Sequence, residues 1–169
     1  MGLEVLSTPL GIIGLGNIGK QVARRASGFD MKVLYHNRKP NPEAEAELGV
    51  TYASLDDLLT QSDYVALNVP LTDETRNMIG RDQLHKMKKT SFLVNLARGG
   101  VVNHDALLEA LQNDWIAGAA LDVTEPEPLP RDHPLLKLKN VIIAPHLGSA
   151  THQTRLGMAQ RTVDNLIAG

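Results

Sequence analysis

Leu10-Gly11-Ile12-Ile13-Gly14-Leu15-Gly16-Asn17-Ile18-Gly19 reads as a buried strand running into a glycine turn. Behind it, Ile18, Val22, Ala23 and Ala26 recur at helical spacing. Strand, then G-x-G-x-x-G, then helix is the context that gives this glycine pattern meaning. Gly14 permits the tight turn, Gly16 lets the backbone approach a pyrophosphate, and Gly19 lets the helix pack close to the strand. Leu15, Asn17 and Ile18 fill the turn between them. The helix start offers free N–H groups and the positive end of its dipole to phosphates. Lys20 after Gly19 nearly completes a different phosphate loop, but Gln21 stands where that loop needs Ser or Thr to hold magnesium. An ATPase of that kind is therefore excluded, and Lys20 reads as a solvated helix residue.

Outward from this turn, strand-like runs alternate with helical patterns. The spacing predicts strands over 31–35, 50–52, 64–69, 92–96, 117–123 and 141–144. Helices are predicted over 42–48, 55–59, 81–87, a segment through Leu111 capped by Asn103 or Asp105, and 151–167. Ser54 with Asp57 forms a capping box for the helix from Leu55. Pro126, Pro128, Pro130 and Pro134 mark a crossover loop. Continuous apolar strands alternating with helices predict a doubly wound parallel sheet of the α/β class, covered on both faces, in one domain over residues 1–169.

Composition narrows the function. With 17 Lys+Arg against 19 Asp+Glu, the net charge of -2 argues against nucleic acid or an anionic membrane as partner. At 43% hydrophobic and 21% charged residues, the 169-residue chain is ordinary for a globular protein. Zero cysteines exclude disulfides, thiolate metal sites and cysteine nucleophiles. His85, His104, His133 and His152 show no metal-ligand spacing and read as surface or structural residues. No run is long enough to span a membrane and no signal peptide is evident, so a cytoplasmic protein is expected. Lys86, Lys88 and Lys89 read as a solvated face, Trp115 as packing, and Met78, Met87 and Met158 as core filler.

Dinucleotide folds for NAD place an acid about 20 residues on, to hold the ribose 2′-hydroxyl. Here the second strand ends Tyr35-His36-Asn37-Arg38-Lys39, with Asn37 in that place and no carboxylate. Arg38 suits a 2′-phosphate, through charge-assisted hydrogen bonds worth about 1.5–3 kcal/mol, roughly ten- to over a hundredfold in affinity. NADP(H) is expected over NAD(H).

Arg98, Glu127 and His146 follow three successive late strands. In a parallel sheet the loops after those strands emerge on one side, where ligands bind. Arg98 can clamp a carboxylate bidentately. His146 can donate a proton to a carbonyl oxygen as hydride reaches its carbon, and Glu127 can hydrogen-bond His146 and favour its charged form. Together they describe reduction of a 2-oxo acid to a 2-hydroxy acid. Each residue also has a plain reading: Arg98 as a donor to a backbone carbonyl, and Glu127 as a solvated loop residue.

Gly14–Gly19, Val94-Asn95-Leu96-Ala97-Arg98-Gly99-Gly100, Leu121-Asp122-Val123 with Glu125-Pro126-Glu127-Pro128, and Pro145-His146-Leu147-Gly148-Ser149 together resemble the D-isomer-specific 2-hydroxyacid dehydrogenase family. The resemblance runs over nearly the whole chain from Leu10 onward. It implies Arg98 as the substrate-carboxylate arginine, Glu127 as the glutamate paired to the histidine, and His146 as the proton donor. It implies Asp122 beside the nicotinamide, with Leu96, Ala97 and Gly148 in the same motifs, and Val69 and Pro70 in the wall of the adenosine pocket. Asn37-Arg38 and the run Gly148 to Arg155 look most like glyoxylate/hydroxypyruvate reductases. The resemblance also implies a homodimer, and a substrate-binding domain that is absent from this chain. Two other readings share these motifs: a dinucleotide-responsive corepressor of the same fold, and a module that binds nucleotide without turnover.

Overall fold

The computed structural model describes residues 4–168. Seven strands form one sheet: β1 (Pro9–Ile13), β2 (Lys32–His36), β3 (Thr51–Tyr52), β4 (Tyr64–Leu67), β5 (Phe92–Asn95), β6 (Gly118–Leu121) and β7 (Val141–Ile143). Their order is β3-β2-β1-β4-β5-β6-β7 and every pairing is parallel. The order reverses between β1 and β4, so the chain leaves those two strands in opposite directions and opens a crevice at their carboxyl ends.

Between the strands lie α1 (Asn17–Ala26), α2 (Pro42–Leu48), α3 (Leu55–Gln61), α4 (Arg81–Lys86) and α5 (His104–Gln112), with α6 (His152–Ala168) last. Local chemistry sets their starts. Asn41 and Ser54 cap α2 and α3 by accepting from the backbone N–H of Ala44 and Asp57. Of the two candidate caps for α5, Asn103 is used: its Oδ1 accepts from Ala106 N at 2.9 Å. Gly49 in the left-handed region ends α2.

Two apolar cores flank the sheet. One packs Leu10, Ile12, Ala23, Val33 and Tyr35 beneath α1 and α2. The larger one packs Ile13, Leu58, Leu67, Leu84, Leu93, Leu107 and Leu121 beneath α3, α4 and α5. Each fully buried Leu or Ile contributes about 1.5–3 kcal/mol relative to exposure. The expectation of helices over both faces holds for β1, β2 and β4. Beyond them the cover is uneven, because Phe92 and Val94 alternate with buried Leu93 and Asn95 and are only half-buried, and Ile142 on β7 is 73% exposed.

Three smaller expectations change. Met158 lies on α6, which buries no residue, and is 51% exposed rather than core filler. Lys86 and Lys88 are paired, not merely solvated: Lys86 meets Asp56 at 2.6 Å and Lys88 meets Asp63 at 3.0 Å. Strands run shorter than predicted at their carboxyl ends; β4 stops at Leu67 and β6 at Leu121. The residues past those ends build the site.

Candidate active site

The glycine turn begins where β1 stops. Gly14 has φ +99°, which L side chains rarely adopt, and a methyl group there would stand 2.8 Å from the Asn68 carbonyl carbon. A methyl group on Gly19 would strike the Gly14 carbonyl oxygen. Both glycines therefore answer to the packing of α1 against β1 and β4. Gly16 does not. Its backbone is extended (φ -83°, ψ -160°), and a side chain there would meet nothing within 4 Å. Nothing inside the protein requires glycine at that position. Its open face lies at the start of α1, which has no side-chain cap and no acid in its first turn. Free N–H groups with open room above them fit the pyrophosphate of a dinucleotide.

The strand-end residues after β2 stand beside this turn. Asn37 Oδ1 accepts from Leu15 N at 2.8 Å. His36 is a structural residue, its Nδ1 bonded to Ala53 O at 3.0 Å and its ring stacked on Tyr52. Arg38 and Lys39 are exposed. Near Arg38 lies Glu74. A hydrogen bond from the Thr72 hydroxyl, a backbone N–H and the Arg38 charge together hold the Glu74 carboxyl below the usual range. Across the crevice, Val69 is half-buried against Gly14, while Pro70 is exposed and its carbonyl accepts from the Thr75 hydroxyl at 2.6 Å.

At the ends of β5, β6 and β7 the sequence-distant residues meet. Buried Asn95 shapes the first loop: Oδ1 accepts from Ala97 N and Nδ2 donates to Arg98 O, both at 3.0 Å. Leu96 is exposed and Ala97 buried. Arg98 donates from Nη1 to Ala97 O at 2.6 Å. A methyl on Gly99 would strike the Thr124 carbonyl, so the loops after β5 and β6 touch at that point. In the second loop, Thr124 N donates to Glu127 Oε2 at 3.3 Å, and Glu127 Oε1 lies 2.6 Å from His146 Nδ1. The hydrogen bond with His146 is the largest cause holding the Glu127 carboxyl below its usual range; Thr124 N–H and the charges of His146 and Arg98 add to it, against partial desolvation.

His146 itself has φ +55°, a left-handed backbone that a β-strand end does not supply unaided. The turn after it is fastened from below. Asp122 is buried, and its two carboxylate oxygens accept from Leu147 N at 2.6 Å and Gly148 N at 2.9 Å. Asp122, Thr124, Glu127, Leu136, Ile143 and His146 line a cleft of about 410 Å³. Among the described residues no cluster of three metal-ligating side chains occurs. None of their helices is long and apolar enough to cross a membrane.

Residues 1–148 match the family model of the D-isomer specific 2-hydroxyacid dehydrogenase, NAD binding domain. The chain belongs to that family. It is 54% identical to a glyoxylate reductase of Korarchaeum cryptofilum, over 99% of this chain and 51% of that protein. It is likewise 54% identical to a glyoxylate/hydroxypyruvate reductase B of Serratia proteamaculans, over 99% and 52%. Among solved structures, a glyoxylate reductase from Paecilomyes thermophila superposes with a TM-score of 0.92 at 41% identity, covering 99% of this chain and 51% of that one. The chain thus spans about half the length of the curated relatives it matches.

In this 2-hydroxyacid dehydrogenase domain, Asn37, Arg38, Val69, Pro70, Arg98, Asp122, Glu127 and His146 lie past the carboxyl ends of strands, while Asn17, Ile18 and Gly19 lie in the first turn of α1. The Glu127–His146 pair forms directly. Arg98 is close enough for its charge to act on Glu127. Sequence reasoning missed Asn95, whose signal was a polar residue closing an apolar strand, and missed that Asp122 holds the backbone after His146.

Proposed function

We propose that this chain is the coenzyme-binding half of an NADP-preferring reductase. It would convert a small 2-oxo acid of glyoxylate or hydroxypyruvate type to the D-2-hydroxy acid. The observation that carries the reading is the 2.6 Å contact between Glu127 and His146 Nδ1, on the same sheet edge as the open glycine turn. With Nδ1 engaged, Nε2 is the nitrogen free to face a substrate.

A bound reduced nicotinamide supplies hydride to the carbonyl carbon. His146 Nε2–H gives its proton to the carbonyl oxygen, and general acid help of this kind is worth about 10²–10⁴-fold. Glu127 stays ionised and accepts from His146 Nδ1–H, so the ring that gives up its Nε2 proton carries both protons beforehand and is left neutral with the Nδ1 one. Arg98 grips the substrate carboxylate, turning its guanidinium from the Ala97 carbonyl to a bidentate pairing. Gly14 to Gly19 take the pyrophosphate; Val69 and Pro70 flank the adenosine; Leu96, Ala97, Asp122 and Gly148 border the nicotinamide. Exposed Arg38 and Lys39, with no acid at position 37, favour the 2′-phosphate. The names of the relatives at 54% identity support the substrate class. Pairing of two copies as a homodimer belongs to the same reading.

Calorimetric titration with NADPH and then NADH tests the cofactor. Tight NADPH binding and at least tenfold weaker NADH binding are expected. Equal affinities overturn the NADP preference, and binding of neither overturns the dinucleotide reading. In a full-length context, His146→Ala should lower glyoxylate-dependent oxidation of NADPH by orders of magnitude and leave NADPH affinity unchanged. Unaltered turnover would remove His146 as proton donor. Sedimentation of the chain at one protomer's mass overturns the dimer.

A further inference from the structure

Asn95 is the last residue of β5 and is fully buried, in register with buried Leu67 on β4 and buried Leu121 on β6. An apolar side chain would suit that place, and an amide there is tolerated only when its polar ends are bonded. Both ends are, within three residues. Oδ1 accepts from Ala97 N and Nδ2 donates to Arg98 O, each at 3.0 Å. A backbone N–H only donates and a backbone carbonyl only accepts, so a flipped amide would lose both bonds. The backbone of Asn95 leads to the other half of the site. Its carbonyl accepts from Asp122 N at 2.9 Å. The Asp122 carboxylate in turn accepts from Leu147 N and Gly148 N, just past His146. The turn that carries Arg98 and the turn that follows His146 are thus joined through Asn95 and Asp122, on neighbouring strands.

A 2-oxo acid bears its carboxylate and its carbonyl on adjacent carbons, so the groups that hold the two must keep a fixed spacing. We infer that Asn95 is a positioning residue for the reduction. Buried beneath the site, it sets where the Arg98 guanidinium stands relative to the His146 ring, through the Ala97–Arg98 turn. A misplacement of about 1 Å in such an arrangement costs up to roughly 10²-fold. This inference rests on the roles of Arg98 and His146 given above.

The test uses oxalate, a dicarboxylate close to the substrate in size that carries no reducible aldehyde or ketone. It is titrated into the NADPH-loaded full-length enzyme, with hydrogen exchange at the Ala97 amide as the second readout. Asn95→Ala should speed Ala97 exchange, weaken oxalate at least tenfold and raise KM for glyoxylate by a similar factor, while NADPH affinity stays within twofold. Asn95→Ser keeps a short acceptor for the Ala97 N–H and no group that reaches Arg98 O. It should hold Ala97 exchange slower than Asn95→Ala does and still weaken oxalate threefold or more, and it decides the matter alone if Asn95→Ala does not fold. Arg98→Ala should weaken oxalate at least tenfold. Wild-type oxalate binding in the Asn95 variants, with Arg98→Ala weakened, overturns the inference and leaves the reading of Arg98 standing. Loss of NADPH affinity in step with oxalate marks a purely structural residue and overturns it too. Unchanged oxalate binding in Arg98→Ala overturns the reading of Arg98 and the inference with it.

Discussion

At the scale of single residues, the site depends on charges that are used twice. Glu127 serves His146 through Oε1 and the Thr124 N–H through Oε2. Its carboxyl is held low because its partners favour the ionised form. A group with a lowered folded-state value gives its benefit above the ordinary carboxylate range and loses it as pH falls through the folded value. The acid limb of glyoxylate reduction should therefore lie below the ordinary glutamate range. Glu127→Gln should remove that limb and slow turnover by at most the roughly 10²–10⁴-fold that general acid help supplies. A mutant pH–rate profile that superimposes on the wild type would separate Glu127 from catalysis. Asp122 and Asn95 act on backbone instead: one fastens the turn after His146, the other the turn before Arg98.

At the scale of elements, the three glycines of the turn divide by what needs them. Gly14 and Gly19 serve the close packing of β1, β4 and α1; Gly16 serves only what approaches from outside. Two substitutions expose the division. Gly14→Ala forces a side chain into a left-handed backbone at a cost of about 1–3 kcal/mol, before its clash with Asn68. Each kcal/mol should lower Tm by roughly 2–4 °C in a chain of this size. Gly16→Ala should leave Tm unchanged and weaken NADPH at least tenfold, read by thermal melting and titration of the same samples. A Gly16→Ala chain that binds as tightly as wild type would mean that the pyrophosphate does not approach there. Ser54, and one of Asn103 and Asp105, were legible as helix caps because caps are local; Asn41, absent from that reading, bonds over the same three residues. Strand ends were less so. An apolar residue such as Leu96 continues the run in sequence but stands exposed at the sheet edge.

At the scale of the whole molecule, α6 stands apart from both cores. It buries none of its residues, and Leu156, Val163, Leu166 and Ile167 are all exposed along it. Deleting residues 151–169 should therefore shift the unfolding midpoint of the remainder by less than about 3 °C, since no buried residue is lost with α6. A larger fall in circular-dichroism melting would show that α6 carries part of the fold.

The α/β class, the Ser54 cap, the glycine turn and the candidacy of Arg98, Glu127 and His146 came from sequence alone. Periodicity, capping and backbone permissiveness are properties of neighbouring residues. Strand order, the 2.6 Å meeting of Glu127 with His146, the Asn37 bond to Leu15 and the Asp122 clasp on Leu147 and Gly148 were decided only in the folded chain. These contacts join residues 19 to 26 positions apart, and their geometry exists only once the strands have paired. The uneven cover of the sheet belongs there too. A run such as Val141-Ile142-Ile143 is equally apolar whether or not a helix lies over it, and only packing determines which of its residues meets water.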